Sequence, residues 1–518
     1  MTSDAGVTVN GSIALRVDGG ALSNEDGTTN YASASGISTE SGTISLNGNA
    51  DMIVDNGLGI TSRNGSVYLY GSNVNINTTH SSAIYVDNGS LIIGTEGSAS
   101  ETNIVSKIED NYKWVSPPST TSTDESSLTH QYDGVYVRGG SLTANGTFNV
   151  THKGLANVEY ENVYPVNSSS VYTIKSFAVR VESTTNSNNE DVVTIKSGTI
   201  TNSVGGGVSV SGGTLNLGVE GEANGSLSVK TTGTDVGNEK NNSGQFYGNW
   251  QFQANLKGGS AVEVTGGNLN VYCGTFTAAQ GDGIFVKGGN AEINGGSFSG
   301  NDAYVTSTNL RAGIAASYAF KMYGGTVTIN DGSFKSQGSG AMIIGTSAND
   351  MAKATINGGE FIASGQTGFS VYNYADVTFA PGEGKSITVQ GVAAGLTIEG
   401  IHNGNNSMSY AGSVINISGG TFIGTGPSNL GGGDGIWFDN KHVELIITGG
   451  NIDGYYRHGI NITDTRDGSS TCKVSIKGAT ITNAIYHGNN VWFNKYYDIY
   501  IGADIDISNI DTSYTTNR

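Results

Sequence analysis

Three aspartates stand directly before a glycine that opens an alternating apolar run: Asp133 before Gly134, Asp282 before Gly283 and Asp434 before Gly435. His458 takes the same place in Arg457-His458-Gly459-Ile460, and Asp439, Lys441, Asp464 and Arg466 lie nearby. Carboxylates and an imidazole at one recurring position are the groups with which a polysaccharide hydrolase or lyase would act. Hydrolysis needs two carboxylates a few ångströms apart, one with a raised pKa to protonate the leaving oxygen and one to activate water or attack. A lyase needs a base, with a cation or metal to neutralise a uronate. If these segments lie on successive stacked coils, Asp434 and His458 come within about 5 Å, or within about 10 Å with one coil skipped. Asp434, His458 and Asp282 are therefore the catalytic candidates. The default use of Asp before Gly is turn chemistry, in which the carboxylate accepts a backbone N–H.

Metal chemistry has little support. No His or Cys spacing suits zinc, and the Asp-rich nonapeptide of calcium-binding β-rolls is absent. No cofactor is expected, and clustered Asp and Asn loops would suit at most an adventitious calcium. Cys273 and Cys472 fall on well-separated coils, too far apart to bridge.

These residues must be positioned by a repeat. One motif is the run Gly283 to Gly289, which recurs as Gly134 to Gly140, Gly207 to Gly213 and Ala261 to Gly267. A second is Ala291 to Phe298, repeated as Val327 to Phe334, Ala354 to Phe361 and Ile415 to Phe422. Both alternate apolar and polar residues with period two, as half-buried strands require. The first inward residue of strand one precedes its counterpart on strand two by nine positions, as in Ile60/Leu69, Ile84/Ile93, Val135/Ala144, Val208/Leu217, Ile284/Ile293 and Phe320/Ile329. A short strand three is marked by Phe276, Phe298, Phe334, Phe361, Phe422, Ile452, Ile481 and Ile510, and the shortest period, Phe276 to Phe298, is 22 residues. Three strands and three turns in that length make one coil of a parallel β-helix. Residues 1–518 are expected to form one continuous all-β solenoid of roughly 17–20 coils stacked at about 4.8 Å.

Composition agrees. The 518 residues include 79 Gly and only 5 Pro, and hydrophobic residues make up 36%, which suits a thin continuous core wound by short strands. A formal net charge of -19 lacks the basic footprint that nucleic acid or an anionic membrane surface would require. No apolar run of about 18 residues exists to span a membrane. No signal peptide is visible, and residues 1–14 and 503–518 show no amphipathic capping helix, so neighbouring domains or coils of a longer chain are expected to cover the strand edges.

In solenoids, insertions that map to one face usually carry function. Insertions at about 101–131, 149–176, 231–259, 299–318 and 424–434 all fall at the corner before strand one, and smaller ones near 183–191, 346–353 and 463–471 fall after it. The first row of loops contains Trp114, Tyr247 and Trp250. Strand one directs Tyr85, Tyr136, Phe285, Trp437 and Trp492 outward, whereas strand two directs Glu292, Thr328, Thr355, Asn416 and Ser475 outward. Outward rings stack on the apolar C–H faces of sugars while polar rims bond hydroxyls. The alternative is that they pack beneath their own insertions. The ring-rich stretch Trp492 to Tyr500, with His487 before it, suits a binding patch or a hydrophobic cap equally.

The units Gly-Gly-Thr-Phe (Gly419 to Phe422), Asn-Gly-Gly-Ser-Phe (Asn294 to Phe298) and Gly-Asp-Gly-Ile (Gly281 to Ile284) resemble right-handed parallel β-helix repeats of the pectate-lyase-like superfold. They are most similar to the Gly-rich repeat regions of bacterial surface proteins and adhesins. The resemblance covers about residues 40–510 and implies a fold more firmly than an activity, because this superfold hosts lyases, hydrolases, tailspikes and adhesins. Of the polygalacturonase-type motifs only Gly-His-Gly has an echo, at Arg457 to Ile460; the Asp-Asp pair is missing. Two functions follow as expectations. One is an extracellular or cell-surface rod that binds a polysaccharide or glycoprotein surface through its aromatic face. The other is a polysaccharide lyase or glycoside hydrolase acting through carboxylates on that face.

Overall fold

The structure is a computed structural model. It describes the chain except residues 1, 4, 20, 24–28, 32–33, 98, 109–132, 155–175, 184–190, 223–224, 234–257, 301–316, 338–339, 346–350, 373–374, 400–412, 427–431, 440–442, 456, 463–472, 483–498, 502–505, 511–514 and 517–518. Among the described residues every regular element is a β-strand. The chain is an all-β parallel solenoid, and it divides into two compact units: Met1–Val264 with Ala278–Gln280, and Thr265–Thr277 with Gly281–Arg518.

In the first unit three columns of parallel strands stack coil on coil. Strand one runs through Ala34–Thr39, Gly57–Ser62, Ile84–Asp87, Val135–Arg138, Phe177–Glu182 and Gly206–Ser211. Strand two runs through Val7–Val9, Ile44–Leu46, Val67–Leu69 and Leu91–Ile93. It continues in the first part of Leu142–Lys153, the first part of Val192–Asn202 and Thr214–Leu217. Strand three runs from Ile13–Asp18 through Ala50–Asp55, Asn73–Thr79 and Glu101–Lys107, then through the second parts of the same two long strands to Leu227–Thr231. The expected register holds at residue level: Ile60, Ile84, Val135, Val179 and Val208 share one column, and Leu69, Ile93, Ala144, Ile195 and Leu217 another.

The second unit repeats the plan. Its strand-one column links Ile284, Phe320, Met342, Phe369, Leu396, Ile436, Ile460 and Ile499. Its strand-three column links Phe276, Phe298, Phe334, Phe361, Val389, Phe422, Ile452 and Ile481. One assignment changes: Ile510 pairs with Ile476 and so belongs to strand two, while Thr515 pairs with Ile481. The near-matching motif spacings allowed this one-strand slip because the last coil is irregular at Lys473/Ser475.

Stacking one coil directly on the next puts identical side chains face to face. Phe276, Phe298, Phe334 and Phe361 form a continuous stack with centroid spacings of 5.3, 4.6 and 4.8 Å. Such ring pairs contribute about 0.5–1.5 kcal/mol each beyond their burial. Asparagines also bond up the stack, along strand three in the first unit and at the turns in the second. Asn103 donates to Asn75 at 3.1 Å and Asn149 to Asn103 at 2.9 Å in the first unit. Asn330 donates to Asn294 at 2.8 Å and Asn357 to Asn330 at 2.9 Å in the second. Coil packing also dictates Gly325: its φ is +95°, and a Cβ there would run into the Gly289 carbonyl oxygen.

The sheets differ in burial. Strand two alternates, as in Ala352–Ile356, where Lys353 and Thr355 are exposed. Strand one is covered on both faces at several coils: every residue of Gly340–Ile344 is buried, and the outward positions Ile343, Ser370, Thr397 and Asn461 are buried too. At the corner before strand one, strand three extends further than the spacing suggests. Glu101–Lys107 and the end of Leu142–Lys153 are ladder strands, so insertion begins only after them.

Candidate functional site

The recurring Asp-Gly position has one common geometry. Asp133 Oδ1 accepts the Phe177 N–H at 2.7 Å, Asp282 Oδ1 accepts the Tyr318 N–H at 2.8 Å, and Asp434 Oδ1 accepts the His458 N–H at 3.1 Å. Phe177 and Tyr318 open strand one of the following coil, and His458 lies two residues before it. The carboxylate thus caps the re-entering chain, which is the turn chemistry open to Asp before Gly.

Asp434 and His458 are brought together, but through the His458 backbone. The second Asp434 oxygen accepts Asn461 Nδ2 at 2.8 Å and faces Arg457 Nη1 at 3.3 Å. Burial pushes the Asp434 carboxyl up to about 6, against the opposing pull of Arg457, Asn461 and the His458 N–H. A pKa near 6 suits a general acid, yet both oxygens are engaged and the group is buried. Asp439, Lys441, Asp464 and Arg466 lie outside the described side chains.

The first unit holds a larger polar cluster that sequence reasoning missed. Asp133 is fully buried, and its carboxylate receives Arg180 Nε at 2.6 Å. Arg180 also reaches Glu182 at 3.4 Å, and Glu182 accepts the Tyr136 hydroxyl at 2.7 Å. Burial raises Asp133 to about 6, with Arg180 and the Phe177 N–H opposing. Burial, then the neighbouring Glu182, holds the Tyr136 phenol well above its usual range. Arg138 grips Asp87 with two bonds, at 2.8 and 2.6 Å. Along one outward row Asp87, Arg138 and Glu182 stand in register on successive coils, and Arg63 pairs with Glu40 at 3.7 Å. The signal was legible: Val179 continues the inward column of Val135, which sets Arg180 beside Tyr136. A buried His152–Ser176 contact of 2.9 Å lies close by. It has the pairing of a nucleophile and base, but the Asp133 carboxylate is spent on Arg180 and Phe177.

The aromatic candidates divide. Tyr136 is not an outward platform: it is fully buried, and its ring lies 5.5 Å from that of half-buried Tyr85. Its hydroxyl found a carboxylate partner, and that bond holds the ring against the sheet. Phe285 is 9% exposed, and its ring meets Tyr323 edge-on at 4.8 Å. Trp437 is half-buried, in register between Thr397 and Asn461. Trp114, Tyr247, Trp250 and Trp492 lie outside the described residues. Tyr68 on strand two and Tyr70 just after it form a ring pair with centroids 5.5 Å apart, at a face where sequence reasoning anticipated mostly polar residues.

Among the described residues no group of three His, Cys, Asp or Glu is placed to hold a metal. No described helix is long and apolar enough to cross a membrane. Comparison of the chain with protein-family models, curated proteins and solved structures returns no match.

Proposed function

We propose that this chain is a non-catalytic, extracellular or cell-surface solenoid that binds a glycan through strand-one patches of aromatic and charged side chains. The observation that carries this reading is the shared fate of the three aspartates. Asp133, Asp282 and Asp434 each spend an oxygen on the next coil's backbone, so the residue type that most suggested hydrolysis is accounted for by coil stacking. A glycosidase needs two carboxylates facing a cleft with room for a sugar. Among the described residues, the rings still accessible at strand one include half-buried Tyr85 near Arg138, half-buried Trp437, and Tyr323 with Lys321 over its ring. A ring edge beside a hydrogen-bonding group is the chemistry that recognises a sugar face and its hydroxyls. The likeness of the Gly-rich repeats to pectate-lyase-like β-helices of bacterial surface proteins agrees with this use and with a place outside the cell.

The test pairs two assays on the whole chain. A glycan array measures binding for the parent and for Trp437→Ala and Tyr85→Ala. A panel of acidic and neutral polysaccharides is then screened for new reducing ends and unsaturated products. Binding that weakens in either variant, with no product formed, is the expected result. Product formation lost in Asp434→Asn would replace this reading with the depolymerase one.

A further inference from the structure

Strand two of the first unit is uncharged over successive coils. Segments 6–10, 43–47, 66–70, 90–94 and 141–145 carry this strand and the residue on either side of it, and none contains Asp, Glu, Lys, Arg or His. The chain as a whole has 44 acidic and 25 basic residues. In the second unit the outward side of strand two carries Glu292, Lys353, Asp376 and Glu444. Charges near the neutral segments pair with each other: Glu40 with Arg63 at 3.7 Å before them, and Glu96 with Lys196 at 3.4 Å after them.

The register builds a face from these segments. Thr8, Ser45, Tyr68, Ile92 and Thr143 form one row. Alternation directs them away from the core, and each is exposed or half-buried. Asn10, Asn47 and Tyr70 stand two positions further along their chains, and all three are exposed. The Tyr68 and Tyr70 rings lie 5.5 Å apart, tilted by 39°. On the coils beside them Ser45 donates to Asn47 Oδ1 at 2.9 Å, and Asn47 Nδ2 donates to Asn10 Oδ1 at 2.8 Å. That chain of bonds orients both amides and leaves Asn10 Nδ2 to donate outward.

The chemistry of this face selects its ligand. An anion needs cations and a cation needs carboxylates, and these segments hold neither. A stable protein interface needs about 800 Å² a side around an apolar centre, whereas Tyr68, Tyr70 and Ile92 are the only large side chains with apolar bodies at the outward positions of these segments. Rings that offer an apolar face, set among hydroxyls and amides, match a sugar whose C–H face is apolar and whose rim is hydroxyl. Tyr68 is paired to a neighbouring strand on both sides, so its ring is held in place and little freedom is lost on binding. We infer that Tyr68 and Tyr70, with Ser45, Asn47 and Asn10 beside them, form a platform for an uncharged polysaccharide. It lies on a different sheet from the strand-one patches and does not depend on them.

The experiment measures binding of the whole chain to dextran, laminarin, galactomannan and soluble cellulose oligosaccharides as neutral glycans, and to polygalacturonate as an anionic one. The parent is compared with Tyr68→Ala/Tyr70→Ala, Tyr68→Phe/Tyr70→Phe, Tyr85→Ala and Trp437→Ala, with circular dichroism confirming that each retains its strand content. At least one neutral glycan is expected to bind, about tenfold more weakly in the alanine pair, as the loss of two ring contacts allows. Binding is expected to persist in the phenylalanine pair and to be unchanged by salt up to about 0.5 M. Neutral glycan binding lost in the alanine pair but kept in Tyr85→Ala and Trp437→Ala would support the platform and count against the strand-one patches. The reverse pattern would overturn the platform and leave the strand-one reading intact. Binding to polygalacturonate alone, or to no glycan at all, would overturn the platform. A dimer in sedimentation that the alanine pair disperses would overturn it in favour of a contact between two copies of the chain.

Discussion

Replacing Asp133 with asparagine asks whether burial or Arg180 controls the carboxylate. Two influences oppose each other there. Complete burial raises its pKa, while the 2.6 Å bond from Arg180 and the 2.7 Å bond from the Phe177 N–H lower it. Burial wins, and the group stands at about 6 against an ordinary 3.8. That displacement corresponds to about 3 kcal/mol, at 1.36 kcal/mol per pH unit. The sign follows from linkage. The folded chain holds this proton more tightly than the unfolded chain, so the contribution to stability is complete below about pH 4 and is lost as the pH rises through about 6. The amide of the Asp133→Asn variant carries no such proton. The parent should therefore lose about 3 kcal/mol relative to Asp133→Asn between about pH 4 and pH 7. A stacked solenoid need not unfold in one step. The readout is accordingly local: hydrogen exchange by mass spectrometry on the peptide spanning 177–182 in a urea series, corrected for intrinsic exchange at each pH. Parallel pH profiles for parent and variant would refute the argument. So would a parent that loses stability relative to the variant on acidification, because that would mean the guanidinium outweighs desolvation.

Other perturbations follow from the stacking. Phe334→Ala opens a gap between two stacked rings and should cost about 3–5 kcal/mol, read as a loss of hydrogen-exchange protection in the adjoining coils. Gly325→Ala forces a side chain into positive φ and against the Gly289 carbonyl, and should cost at least about 2 kcal/mol. Gly288→Ala, where a Cβ meets nothing within 4 Å, should stay within about 0.5 kcal/mol in the same urea titration. Asn330→Ala breaks the middle rung between Asn294 and Asn357 and should cost about 1–2 kcal/mol in that assay. Equal costs at Gly325 and Gly288 would contradict the packing described for these turns.

The solenoid, its three strand columns and nearly all of their register are written in the local period of the chain. A nine-residue spacing such as Ile284 to Ile293 belongs to one coil, and the backbone of each coil can pair only with its neighbours, so that period carries the whole ladder. The aspartate position was equally legible, because Asp before Gly is a local turn device wherever it occurs. Which outward side chains stay accessible is settled only when the coils pack. Alternation directs Tyr136, Thr397 and Asn461 away from the core as surely as Lys353, yet the first three are buried and Lys353 is not. Packing also settles what the aspartates hold. Arg180 reaches Asp133, and Asn461 reaches Asp434, from the coil that follows. Burial and charge pairing on the outer face are set by residues a whole coil or more apart, joined by connections of variable length, and a period read along the chain carries no record of them.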